Sequence, residues 1–305
     1  MKTFKIICIC LLTILILLTG VTVWGSFFML DVSLGDLSGK DPDGRRNEVR
    51  EQHPDTYLWA DSLMRAHVMR DTMMTTHDGR RLHAWYAAAE DSTDMTAVLL
   101  HGYTCNAWTV MNIAQMMRER IGLNIFLPDL HGHGKSDGDE VQMGWKDAHD
   151  CALSRIVIHG VSMGAATAMN VSGLEDNPQI VGYIEDCGYS SVWEELSGEL
   201  EKQYGLGEFP LMYTTSLLCQ LKYGWSFGEA SSLEMVKRCK KPMLFIHGSD
   251  DDFVPTRMVY ALYEAKPQPK SLWISKGSGH AASFNDHPEE YEQKVRESLK
   301  MKDEK

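Results

Sequence analysis

The chain has 305 residues, 44% hydrophobic and 24% charged, values that describe one large globular domain or two ordinary ones and exclude a disordered chain. A formal net charge of -12 argues against nucleic acid as a partner, because phosphate binding needs a basic surface. The seven cysteines contain no C-x-x-C pair and the histidines no H-E-x-x-H, so no disulfide framework, metal or cofactor is implied; the cysteines read as buried small apolar residues.

The N-terminus carries Lys2 and Lys5 and then no charge until Asp31. The apolar run from Ile6 to Leu30 exceeds the roughly twenty residues that cross a bilayer as a helix. Val23-Trp24-Gly25 is a poor cleavage site and the apolar run continues beyond it. Residues 1–30 therefore read as an uncleaved membrane anchor, with a cleaved export signal as the alternative. Lysines on the short N-terminal side put the bulk of the chain outside the cytoplasm. A polar tether is expected at 31–54 and a folded domain at 55–305. A short helix opens that domain, with Asp55 as its N-cap, and Asp78-Gly79 marks a hairpin between two strand-like runs.

From there short apolar strands alternate with helices. Strands are predicted at 97–101, 124–128, 156–160, 180–185, 242–247 and 270–275, with helices at 106–120, 163–174, 256–265 and 287–301. This is an α/β pattern: a mostly parallel central sheet flanked by helices. Residues 190–236 break the rhythm with a helical, aromatic-rich stretch, a cap insertion over the carboxyl edge of the sheet. It reads equally as a lid over an apolar pocket or as a cap packed by its own aromatics.

"IVIHGVSMGAATA" (156–168) places Ser162 between glycines at a strand-to-helix turn. The glycines let strand and helix pack closely, and the helix N-terminus favours nearby negative charge; both suit a nucleophile whose attack creates an oxyanion. Such a serine needs a base and an orienting acid. Asp250, Asp251 and Asp252 follow one strand and His280 follows the last, in the chain order this topology expects. The backbone N–H of Tyr103, after "VLLHG", and that of Met163 would meet at the oxyanion. His101 reads as a structural hydrogen-bonder.

With HGYTCN, PDLHGHGKSDG, GVSMG, HGSDDDFVP and GSGH in place, the sequence over roughly 55–300 resembles the α/β-hydrolase superfamily. The closer likeness is to its bacterial membrane-tethered or exported serine hydrolases, akin to serine aminopeptidases and lysophospholipase-like esterases. The resemblance implies Ser162, Asp251 and His280 as catalytic residues, with Tyr103 and Met163 as oxyanion donors. Asp251 is chosen because the pattern H-G-x-x-D-x-x-V-P falls on His247, Gly248, Asp251, Val254 and Pro255. It also implies structural roles for His131 and His133. The expected reaction is hydrolysis of a small ester, lipid-like esters included, or an amide, with esterase favoured over peptidase. Acyl transfer and an impaired, hydrolase-fold binding protein are the alternatives; the oligomeric state is open.

One departure stands out: "GWKDAHDCALS" leaves only about ten residues, or about 15 Å, for the helix before the strand that carries Ser162. A strand of five or six residues already spans about 17–20 Å. Either this chain is less stable than its relatives or it has lost a segment. A low or broad melting transition accompanied by binding of an apolar-surface dye is expected; a high, cooperative transition without dye binding counts against the idea.

Overall fold

The computed structural model describes residues 2–35, 43–76, 79–144, 155–174 and 177–300. They fall into two compact units, Met1–Gly35 with Val192–Ala230, and Asp36–Ser191 with Ser231–Lys305.

In the first unit, α1 (Lys2–Leu34) is one unbroken helix that runs four residues past Leu30, where the apolar run ends. The cap contributes α6 (Val192–Tyr204) and α7 (Leu211–Tyr223). The predicted insertion at 190–236 is too wide. Its last helix, α8 (Ser232–Val236), belongs to the other unit, where a Cβ on Gly173 would come within 2.6 Å of Met235 Cα.

The second unit opens with α2 (Gly44–Gln52) and α3 (Pro54–Arg65). The tether reading of 31–54 is thus corrected: α2 buries Val49 and sets the Arg46 guanidinium 5.2 Å from the centre of the Trp108 ring. Asp55 lies inside the first turn of α3 and His53 is the N-cap residue. Pro54 explains the shift, since a residue without an N–H is tolerated at the first helical position.

An eight-stranded sheet follows, in the order β1-β2-β4-β3-β5-β6-β7-β8. The hairpin of β1 (Met69–Thr75) and β2 (Arg81–Ala87) is antiparallel, and β2 pairs antiparallel with β4 (Asn124–Pro128). Asp78 itself lies outside the described residues. The remaining pairs are parallel: β3 (Thr96–Leu100), β5 (Ile156–Val161), β6 (Ile180–Asp186), β7 (Met243–Gly248) and β8 (Lys270–Ser275). Every residue of β3, β5, β6 and β7 is buried, which is why these strands read as continuous apolar runs instead of alternating.

Helices cover the sheet. The stretch α4 begins as a 3-10 turn (Ala107–Val110), continues as α-helix (Met111–Gln115) and widens at its end (Met116–Ile121). After it come α5 (Met163–Gly173), α9 (Arg257–Ala265), α10 (Ser283–Asp286) and α11 (Pro288–Lys300). The shortened crossover at 144–154 lies, from 145 onward, outside the described residues. From β3 the chain moves outward to β4 on one side and then to β5 on the other, so the carboxyl ends of β3 and β5 open side by side. Open α/β sheets bind ligands at such a reversal.

Two glycines make this region possible. A Cβ on Gly160 would stand 2.0 Å from Gly164 O, and one on Gly164 would stand 2.1 Å from Leu100 O. Both obstacles are backbone atoms that cannot swing aside. Gly164→Ala and Gly160→Ala are each expected to cost about 1–3 kcal/mol or more, the range for overpacking a core, read as a fall in the denaturation midpoint.

Candidate active site

Ser162 joins β5 to α5 with φ 57° and ψ −117°, a left-handed conformation that non-glycine residues rarely adopt. Its N–H donates to Asp186 O (2.8 Å) and its carbonyl accepts from Ala166 N (3.1 Å), so the turn is held from both sides. Gly102, at the carboxyl end of β3, packs so closely that a Cβ there would lie 3.4 Å from Ser162 Cβ.

The Ser162 hydroxyl lies 2.9 Å from His280 Nε2, and His280 Nδ1 lies 2.9 Å from Asp251 Oδ2. His280 comes from the loop after β8 and Asp251 from the loop after β7. Residues 118 and 29 positions from His280 are therefore brought into one chain of hydrogen bonds. The other Asp251 oxygen accepts from Phe253 N (3.0 Å) and Val254 N (2.9 Å). His247 Nε2 donates to Val254 O at 2.9 Å and stands 3.3 Å from Asp251 Oδ2. These contacts give the H-G-x-x-D-x-x-V-P spacing its physical content: it folds a loop around one carboxylate. Burial alone would push the Asp251 carboxyl up, but hydrogen bonds from His247 and His280 outweigh it and hold the group well below the usual carboxylate range. Asp250 and Asp252 are exposed.

A cavity of about 280 Å³ opens at this point. Ser162, His280, Gly102 and Tyr103 line it together with apolar side chains such as Ile113 and Phe284. Met163 follows Ser162 as the first residue of α5. The His280 side chain retains 23% exposure and its ring packs 4.8 Å from that of Phe253, so the imidazole is reachable but steered.

His83, His101, His131 and His133 build scaffold. His101 is fully buried; its Nε2 accepts from Leu130 N (2.9 Å) and its Nδ1 donates to Gly102 O (2.8 Å). It thereby ties the β3 loop to the loop after β4. His133 Nδ1 donates to His131 O at 2.9 Å, and burial lowers the His133 pKa to about 3. His131 Nδ1 meets Arg80 Nη1 at 2.8 Å. Asp129 organises this loop, accepting from Ala107 N, Lys135 N and His83 Nδ1. Cys187, Cys219 and Cys239 are buried and Cys105 half-buried, whereas Cys8 and Cys10 are exposed on α1; Cys151 lies outside the described residues. The Cys187 thiol sits beside Asp251 and His280, but burial pushes its pKa well up, leaving a neutral neighbour instead of a thiolate.

Sequence reasoning missed the acids at the end of β6. Asp186 lines the cavity and accepts from the Tyr291 hydroxyl at 3.0 Å, while that hydroxyl lies 2.6 Å from His159 Nε2. Burial pushes Asp186 up to about 6 and Glu185 up to about 8. The only available signal was a polar pair ending an apolar strand, "IVGYIED".

The profile described as the alpha/beta hydrolase family matches residues 97–294, well over half of the chain. The chain belongs to the alpha/beta hydrolase family. Among its relatives is the uncharacterised protein YqkD of Bacillus subtilis, 31% identical over 70% of this chain and 74% of YqkD. The uncharacterised membrane protein YNL320W of Saccharomyces cerevisiae is 25% identical over 64% of this chain and 66% of its own. Among solved structures, the Pyrococcus furiosus esterase Pf2001 superimposes with a TM-score of 0.60 at 25% identity, over 76% of this chain and 91% of the esterase. These neighbours support a hydrolase with a small-molecule substrate.

A raised carboxyl pKa stabilises the fold in full below the ordinary value, and that stabilisation is lost as pH rises through the raised one. For Glu185 the window runs from 4.5 to about 8. The Glu185 contribution to the Tm of the full chain in detergent is expected to fall across this window. Glu185→Gln, which cannot ionise, should lose that fall, so that the Tm of the variant minus that of the parent rises between pH 4.5 and about 8.

Proposed function

We propose that this hydrolase is a serine esterase acting through an acyl-enzyme. The observation that carries the proposal is the pair of 2.9 Å hydrogen bonds linking Ser162 to His280 and His280 to Asp251 at the wall of the cavity. Ser162 Oγ attacks the carbonyl carbon while His280 Nε2 takes its proton. Asp251 holds the imidazole with Nδ1 protonated and stabilises the imidazolium as it forms. The backbone N–H groups of Tyr103 and Met163 receive the oxyanion, at a helix N-terminus whose dipole favours it. His280 then protonates the leaving group, and water, deprotonated by the same imidazole, releases the acid. The cavity volume and its apolar lining suit a short acyl chain or a compact apolar group.

The N-terminal helix is an uncleaved anchor in this reading, with the hydrolase unit outside the cytoplasm. Support comes from residues 4–34, long and apolar enough to cross a membrane by length and composition, with none of the most hydrophobic window buried as a core helix would be. Support for retention comes from α1 itself, which runs as helix through Val23-Trp24-Gly25 and buries Ser26, Leu30 and Leu34 beyond it.

A fluorophosphonate probe is expected to label the purified full chain. Ser162→Ala should abolish labelling, and His280→Ala and Asp251→Asn should slow it by about 10³-fold or more. A folded parent that takes no label overturns the proposal in favour of a binding role. Analysis of products from a series of p-nitrophenyl esters, with and without an alcohol acceptor, separates hydrolysis from acyl transfer.

A further inference from the structure

The anchor helix does not end where its bilayer-spanning length ends. Residues 4–21 of α1 are all exposed, and these eighteen residues (21 − 4 + 1) reach about 27 Å at 1.5 Å per residue, close to the roughly 30 Å hydrocarbon core. From Thr22 onward one face becomes covered: Ser26, Leu30 and Leu34 are buried, with Gly25 and Met29 beside them. The covering element is α7. The hydroxyls of Ser26 and Thr214 hydrogen-bond to each other, Thr215 Oγ1 donates to Met29 Sδ at 3.6 Å, and a Cβ on Gly25 would lie 3.1 Å from Leu211 Cδ2. Leu211 stands against Gly25 and Thr215 against Met29, so α7 begins at the end of this contact nearer the bare, bilayer-length segment.

The cap helix is apolar on both sides. Met212, Thr215, Ser216 and Cys219 are buried, yet the opposite stripe, Tyr213, Leu217 and Leu221, is 55%, 55% and 75% exposed. The loop leading into α7 adds Leu206 and Phe209, the latter 80% exposed. Between Gln203 and Leu221 the only acidic or basic residue is Glu208, and its carboxylate accepts from the Trp193 indole N–H at 3.2 Å. On α1, Trp24 and Phe28 stack at 5.8 Å and remain exposed at the level where the bare segment ends, as aromatics do at a membrane–water interface.

We propose that the exposed stripe of α7 and the α6–α7 loop are a second membrane contact, seated in the headgroup–acyl boundary of the bilayer that α1 crosses. The occupant is lipid because the stripe is continuous with a bilayer-spanning helix, and the contact between α1 and α7 sets its near end at the depth where that helix leaves the hydrocarbon. A helix apolar all round is otherwise a buried one; an apolar face with a polar rim at this depth is what interfacial elements present. The inference rests on α1 as an uncleaved anchor.

The test uses the full chain in phosphatidylethanolamine–phosphatidylglycerol vesicles, with a benzophenone amino acid placed at Leu206, Phe209 or Leu217. Position Leu17 on α1 serves as the positive control and samples kept in the dark as the blank. Lipid adducts are expected at 17, 206, 209 and 217. Adducts at 17 without any at 206, 209 or 217 overturn the second contact while leaving the anchor standing. Cross-links from 209 or 217 to another copy of the chain, in place of lipid, overturn it in favour of a dimer face. Absence of lipid adducts at 17 removes the anchor and the inference with it.

Discussion

The turn at Ser162 sets the geometry on which the site depends. A φ of 57° at a serine is a strained conformation, of a kind that costs on the order of 1–3 kcal/mol and persists only when its surroundings over-determine it. Here the surroundings are β5, buried along its whole length, and α5, also buried throughout, brought so close that Gly160 has no room for a side chain, while the end of β3 leaves none at Gly164. That packing lifts the hydroxyl to the cavity wall. It also leaves Gly102 against it, so the backbone after β3 passes close to the Ser162 side chain.

Around this turn the carboxyl edge of the sheet gathers three buried acids, and the environment treats them differently. Asp251 accepts hydrogen bonds from two backbone N–H groups and two imidazoles, enough to overcome burial and keep it ionised. Glu185 and Asp186 have fewer partners, and burial dominates both, as three negative charges this close would repel one another. Below about pH 6 one charge remains, on the acid that touches His280. The Tyr291 hydroxyl, which donates to Asp186 and meets His159, ties α11 to this edge and couples the C-terminal helix to the floor of the site.

The unit of α1 with the cap obeys a different constraint. Small and hydroxylated residues at Gly25, Ser26 and Thr214 let two helices approach closely and satisfy each other's hydroxyls where water is scarce. The outward apolar residues Phe209, Tyr213, Leu217 and Leu221 stay more than half exposed although the Tyr213 ring meets Trp193 and Phe209, and that exposure is the ground for proposing lipid against them.

Much of the site was legible in the sequence because its motifs are local. A glycine-bracketed serine after an apolar strand dictates its own turn, and continuous apolar runs mark strands buried on both faces, so β3 to β8 were recovered within a residue or two. Charge-free length alone marked α1. Other features required long-range packing. Of three adjacent aspartates, only folding shows that Asp251 turns inward while its neighbours stay in water. The helix in the supposed tether owes its place to Val49 and Arg46 meeting residues of α3 and α4, contacts no local pattern encodes. Asp186 and Glu185 take their protonation from burial between β5 and β7, where the paired residues lie 25 positions before them and 60 after. The sequence by itself determined which residue types stand at each turn, because backbone sterics act between near neighbours. Only the tertiary structure decided which of them meet and which stay charged, because burial and hydrogen-bond partners belong to the packed chain.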